Sequence, residues 1–188
     1  MKTIKLFQAA LVATFLLGSQ LAFGQMEKTV EVGGAPMYPS KNIIENAVNS
    51  ADHTTLVAAV KAAGLVETLQ GKGPFTVFAP TNAAFEKLPK GTVETLVKPE
   101  NKGQLTSILT YHVVSGRIGS KEIAAAIKKG NGKATLTTVQ GGKITAWMKG
   151  KDLYISDENG GEAKVTIADV NQSNGVIHVV DTVVTPKG

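Results

Sequence analysis

The 188-residue chain contains no cysteine. That excludes disulfide staples, thiolate zinc sites, a catalytic cysteine and lipid attachment through a lipoprotein cysteine. Arginine is almost as scarce, with Arg117 standing alone. A single Arg is a poor stock for phosphate or base-edge contacts, and the lysines show no basic stripe along the chain, which argues against nucleic-acid binding. Aromatic residues make up 5% and include one Trp. No apolar run is long enough for a span of roughly 20 residues, because the first is broken by Gly18, Ser19 and Gln20.

What is present reads as one folded domain. Hydrophobic residues reach 43% and charged residues 19%, a balance unlike that of disordered chains. The start, Met1-Lys2-Thr3-Ile4-Lys5, is followed by an apolar stretch and then Ala22-Phe23-Gly24. This predicts a signal peptide over residues 1–24 that is cleaved on export. Its removal takes Lys2 and Lys5 and no acid. The formal charge then falls from +5 to +3, with 18 basic against 15 acidic residues. The expected compartment is secreted or periplasmic, without membrane insertion after cleavage.

Residues 25–37 carry Gly33-Gly34 and Pro36 and read as a linker or loosely docked arm. Helical spacing follows from Ser40, the expected N-cap, through residues 43–48, and again after Asp52 up to Gly64. Pro74-Phe75-Thr76-Val77-Phe78-Ala79-Pro80 reads as a buried strand. Thr81, Thr92 and Ser120 are expected to cap further helices. Tyr111-His112-Val113-Val114 is expected as a strand. Five strand-like runs then occupy residues 134–139, 143–148, 152–156, 162–167 and 176–184, separated by Gly- and Asn-rich turns. The last is apolar on both alternations, so both of its faces should be covered. Helices first and strands later predict an α+β domain over residues 38–187.

Three segments resemble the fasciclin domain family. They are Thr76-Val77-Phe78-Ala79-Pro80-Thr81-Asn82-Ala83-Ala84-Phe85, then Ile108-Leu109-Thr110-Tyr111-His112-Val113-Val114, then Asn174-Gly175-Val176-Ile177-His178-Val179-Val180-Asp181. Their order and spacing match the family's motifs. The resemblance implies a wedge-shaped β-sandwich with a helical layer in an exported, often surface-attached protein; a monomer is expected. It implies adhesion to a protein or surface polymer of envelope or matrix. Asp169 and Val170 stand where the family's adhesion pair is placed, and Tyr111 and His112 match its central motif. Pro80, Thr81, Asn174, Gly175 and His178 are implied structural positions.

Catalytic and metal chemistry find little to work with. His53, His112 and His178 lie about 60 residues apart, without the close spacing that marks many metal sites. The bland reading is three buried, hydrogen-bonded histidines, with Asp169 and Asp181 as candidate partners. No Gly-x-Ser-x-Gly is present. Asp157, Glu158 and Glu162 flank a Gly-rich loop that does not match an EF-hand and reads as a solvated turn. Asn171-Gln172-Ser173 is a glycosylation sequon, relevant only to a eukaryotic source. Trp147 could anchor a partner if exposed, though a lone Trp is more often core. The expectation is a non-enzymatic binding module with no cofactor and no metal. The alternative is a carrier of a small apolar ligand, a lipid or pigment, in a cleft between helices and sheet.

Overall fold

A computed structural model describes residues 27–187. The signal peptide expected at residues 1–24 lies outside these described residues. The visible chain opens on a hairpin, β1 (Val30–Val32) paired antiparallel with β2 (Ala35–Met37). Gly33 and Gly34 make its two-residue turn with φ of 58° and 73°. Such a turn needs left-handed backbone at both positions, which glycine adopts without a Cβ clash. Val32 and Met37 are buried in the same cluster as the helices. The loosely docked arm expected over residues 25–37 is therefore corrected: from Val30 onward it is a hairpin pinned by two core side chains.

A helical layer follows, with α1 (Ile43–Ala47), α2 (Thr54–Ala63) and α3 (Val66–Gln70). The cap of α1 is Asn42, not Ser40. Asn42 Oδ1 accepts from Glu45 N at 2.9 Å, and Glu45 Oε2 accepts from Asn42 N at 2.8 Å. This reciprocal capping box satisfies two orphan donors at once. Ser40 Oγ instead donates to Glu27 at 2.8 Å. Three further helices follow the first buried strand, β3 (Phe75–Pro80): α4 (Asn82–Glu86), which packs on it, α5 (Thr92–Leu96) and α6 (Lys102–Tyr111). Thr81 Oγ1 accepts from Ala84 N at 3.2 Å at the start of α4. Gly91, not Thr92, is the N-cap of α5.

The segment Tyr111-His112-Val113-Val114 is only half strand. Tyr111 ends α6, His112 is its C-cap, and β4 covers Val113–Ser115. The remaining elements are α7 (Ser120–Lys129), β5 (Lys133–Thr137), β6 (Lys143–Lys149), β7 (Asp152–Ser156), β8 (Glu162–Gln172) and β9 (Gly175–Val180).

The fold is α+β. One seven-stranded sheet runs β4-β3-β9-β8-β7-β6-β5, with β3 and β9 parallel and the other pairs antiparallel. The implied sandwich layers are two parts of this sheet, joined through the long strand β8. Two register shifts, between Val165 and Ile167 and between Ile167 and Val170, interrupt its pairing with β9; such bulges bend and twist a strand. The sheet curls until its edges meet: Val139 N donates to Val113 O at 2.7 Å, and Val114 bridges to Thr138. Alternation along β3 and β9 then serves two cores. Val77, Ala79, Ile177 and Val179 face the helical layer. Phe78 and Val180 face the inside of the curl, beside Ile123 and Ile127 of α7. Every residue of β9 is buried, as its double apolar alternation requires.

The β8–β9 turn is Ser173-Asn174, and Gly175 is the first residue of β9. A Cβ on Gly175 would stand 2.2 Å from the Phe75 carbonyl oxygen, so close approach of β3 demands glycine there. The Asn174 side chain accepts from Ile43 N at 3.1 Å and donates to the Leu69 and Gly71 carbonyls at 2.8 Å each. It ties the last hairpin to α1 and α3.

Candidate functional site

The candidate residues fall into two groups that meet through β3. At the β8 irregularity Asp169 takes φ of 59°, a left-handed conformation that Asp tolerates better than most residues. Its Oδ1 accepts from Ser120 N at 2.6 Å, and its Oδ2 accepts from Ser120 Oγ. A carboxylate so placed at the start of α7 satisfies an orphan N–H and complements the helix dipole. Gly119 occupies the N-cap position with no side chain to offer. The cap expected from Ser120 is supplied instead by a strand 49 residues away. Burial pushes the Asp169 carboxyl up, but the two Ser120 hydrogen bonds, with His178 and Lys121 nearby, outweigh it and hold it below the usual range.

His178 sits behind this carboxylate. Its Nδ1 accepts from Asp169 N at 3.3 Å, and its Nε2 lies 2.9 Å from the Ile118 carbonyl. These partners assign the proton to Nε2, which donates to Ile118, and leave the ring neutral. Burial keeps its pKa below the ordinary value. The ring stacks on Phe78 with centroids 5.6 Å apart.

Tyr111 and His112 are placed by the end of α6. Tyr111 is fully buried and donates to the Lys143 carbonyl at 2.6 Å. Burial pushes its hydroxyl up to about 12. His112 Nδ1 donates to the Ile108 carbonyl at 2.8 Å, and its Nε2 accepts from Val184 N at 3.2 Å. Burial pushes this imidazole down to about 4. Phe78 N donates to the His112 carbonyl at 2.9 Å while its ring covers His178, so β3 joins the two groups.

Val170 has no exposed surface either. Of the four adhesion-motif positions only Asp169 is half-exposed; Val170, Tyr111 and His112 offer a partner no side-chain surface in this fold. Replacing Asp169 by Ala is expected to cost about 2 kcal/mol, from the lost cap and the strained backbone. Asp169→Asn should cost less, because Asn keeps an acceptor and tolerates the same φ. Urea unfolding of the three proteins checks this, and equal midpoints would refute the capping role.

Among the described residues one Ser–His contact exists. Ser50 Oγ lies 2.9 Å from His53 Nδ1, but both residues are buried, within one tight 3-10 turn. His53 Nε2 is buried without a hydrogen-bond partner. It lines an apolar cavity of about 40 Å³ between the helices and β3. A second apolar pocket of about 50 Å³ shares Leu109 and His112 with it. Among the described residues no carboxylate hydrogen-bonds to His53, and Ser50 is itself buried. Among the described residues no group of three or more His, Cys, Asp or Glu could hold a metal ion. Asp157 is buried and accepts from Asn159 N, Gly161 N and Thr185 N at 2.7–3.0 Å. It ties down the C-terminal segment, a role that its place in a Gly-rich turn did not disclose.

The profile of the Fasciclin domain family matches residues 51–186. The chain belongs to the fasciclin domain family. No catalytic family is indicated. Relatives of this fasciclin domain protein are found in distant organisms. "Protein sll1483" of Synechocystis sp. is 46% identical over 160 residues, covering 85% of this chain and 82% of that one. "Immunogenic protein MPB70" of Mycobacterium bovis is 37% identical over 145 residues, covering 74% and 66%. "Transforming growth factor-beta-induced protein ig-h3" of Sus scrofa is 38% identical over 131 residues, covering 70% of this chain and 17% of its own length. A solved FAS1 domain pair from the insect cell adhesion molecule Fasciclin I shares the fold with a TM-score of 0.68 at 17% identity. That match covers 84% of this chain and 57% of the pair. Among the described residues no helix is long and apolar enough to cross a membrane.

Proposed function

We propose that this fasciclin domain protein is an exported, non-catalytic binding module that adheres to a protein or surface polymer of the cell envelope or matrix. The observation that carries the reading is the family match across the folded core. It agrees with polar groups at the motif positions that are spent on internal hydrogen bonds instead of on reactive pairs. The leader-like residues 1–24 support export. In the space between helices and sheet, a carrier of lipid or pigment is disfavoured by size. The apolar spaces of about 40 and 50 Å³ hold a few water-sized groups, so a larger ligand enters only if the helices part. Solid-phase binding of the full chain to native envelope and matrix extracts tests the proposal. Saturable retention is expected, and no retention on any extract would overturn it. Asp169→Ala should retain binding wherever it remains folded, because its carboxylate serves α7.

A further inference from the structure

The outward face of β5–β8 carries side chains that the fold does not use. Residues 133, 135 and 137, then 143, 145, 147 and 149, alternate outward, while Ala134, Leu136, Ile144 and Ala146 are buried. The strand registers set Lys133, Trp147, Tyr154 and Lys164 in one row across four strands. The Trp147 and Tyr154 rings stack with centroids 5.8 Å apart and planes 23° from parallel. Both side chains are half-exposed. The neighbouring row is Thr135, Thr145 and Ser156, a line of hydroxyls. Lys149 lies two residues beyond Trp147 on the same face, and Lys151 follows in the turn. Around the aromatic pair stand four lysines; Asp152 holds Lys164 at 2.7 Å, and Asp181, beside Lys164, pairs with Lys87 at 3.5 Å. Glu162, in register with Ser156, ends the hydroxyl row on the side away from Lys133. Among the described residues Lys133, Lys149 and Lys151 have no ion-pair partner.

We propose that this face binds an acidic polysaccharide, which deepens the adhesive reading by naming its polymer class. Each part of the ligand finds its complement. The aromatic pair offers apolar area to the C–H faces of sugar rings. The hydroxyl row can donate to and accept from sugar hydroxyls. The lysines meet carboxylates or sulfates spaced along the chain. A nucleic acid fits less well, because the face has no Arg for bidentate phosphate contact. Arg117, the one arginine, is spent on the Gln172 and Ser173 carbonyls at 2.7 and 3.3 Å.

Trp147 is the single tryptophan, so its fluorescence reports directly on this face. Titration of the full chain with alginate, a polyuronate, should change Trp147 emission saturably and more weakly as salt rises. Lys133→Glu combined with Lys149→Glu should raise the apparent Kd by at least about tenfold at an unchanged melting temperature, since both side chains are exposed. Tyr154→Phe, which keeps the ring, should bind within about threefold of the parent protein. The proposal is overturned if alginate produces no saturable change or if neutral dextran binds as tightly. It is equally overturned if the double reversal binds as tightly, or if a single-stranded oligonucleotide displaces alginate at lower concentration. Retention of the double reversal on envelope extract would leave the adhesive reading standing while this face fails.

Discussion

Replacing His178 by Ala is expected to cost roughly 3–5 kcal/mol, a large share of the 5–15 kcal/mol that holds a domain of this kind together. The side chain has no exposed surface. Its removal leaves a cavity against Phe78, whose ring it stacks upon. It also strands two polar groups, the Asp169 N–H and the Ile118 carbonyl, and each orphan adds a desolvation penalty of about 1–3 kcal/mol if no water reaches it. The loss should propagate locally, because Asp169 positions the start of α7. His178→Gln, which retains hydrogen-bonding capacity, should recover part of the loss. Chemical denaturation of the three proteins at pH 7.5 measures this. A cost below about 1 kcal/mol for His178→Ala would refute a bridging histidine.

The second large effect is acid sensitivity. Burial lowers the pKa of His53, His112 and His178 in the fold. The unfolded chain therefore binds protons first as pH falls through about 6.5, and stability falls with it. For His112 the folded value is about 4 against 6.5 when free. Between pH 7.5 and 4.5 this histidine alone should remove roughly 2–3 kcal/mol. The carboxyls of Asp169 and Asp181 are held low by their hydrogen bonds against the opposing effect of burial. Their contribution is kept above the ordinary carboxylate range and lost only below about pH 4. Unfolding free energies at several pH values should show a steep decline below pH 6.5. A His112→Gln variant, less stable at neutral pH, should show a shallower decline. Parallel curves for the two proteins would rule out His112 as a source of acid sensitivity.

Local chemistry carried much of the architecture. Strand β9 announces itself because it is apolar on both alternations, and β3 because it is a short β-prone apolar run bounded by prolines. Thr81 after Ala79-Pro80 has the right side chain in the right place to cap α4. The errors have equally local causes. Val113-Val114 made the preceding Tyr-His look extended, yet α6 continues through Tyr111, and the Ile108 carbonyl receives the His112 ring. Pro36 obscured the hairpin signature of Gly33-Gly34, although a two-stranded ribbon is all edge and accepts proline. Ser120 looked like a cap because nothing near it revealed that Asp169 would supply the acceptor.

The sequence by itself determined an α+β fasciclin domain, its two buried central strands and the absence of a recognisable catalytic motif. The fold class and the strands follow from residue type and periodicity, which act over a few residues; the family follows from the resemblance of three motifs. Only the tertiary structure decided that three of the four adhesion-motif side chains are buried and that Asp169 caps a helix from across the fold. It likewise gathered lysines scattered over residues 133–164 onto one face around Trp147 and Tyr154. Strand register sets those neighbours, and register is the outcome of burying the whole inner face at once.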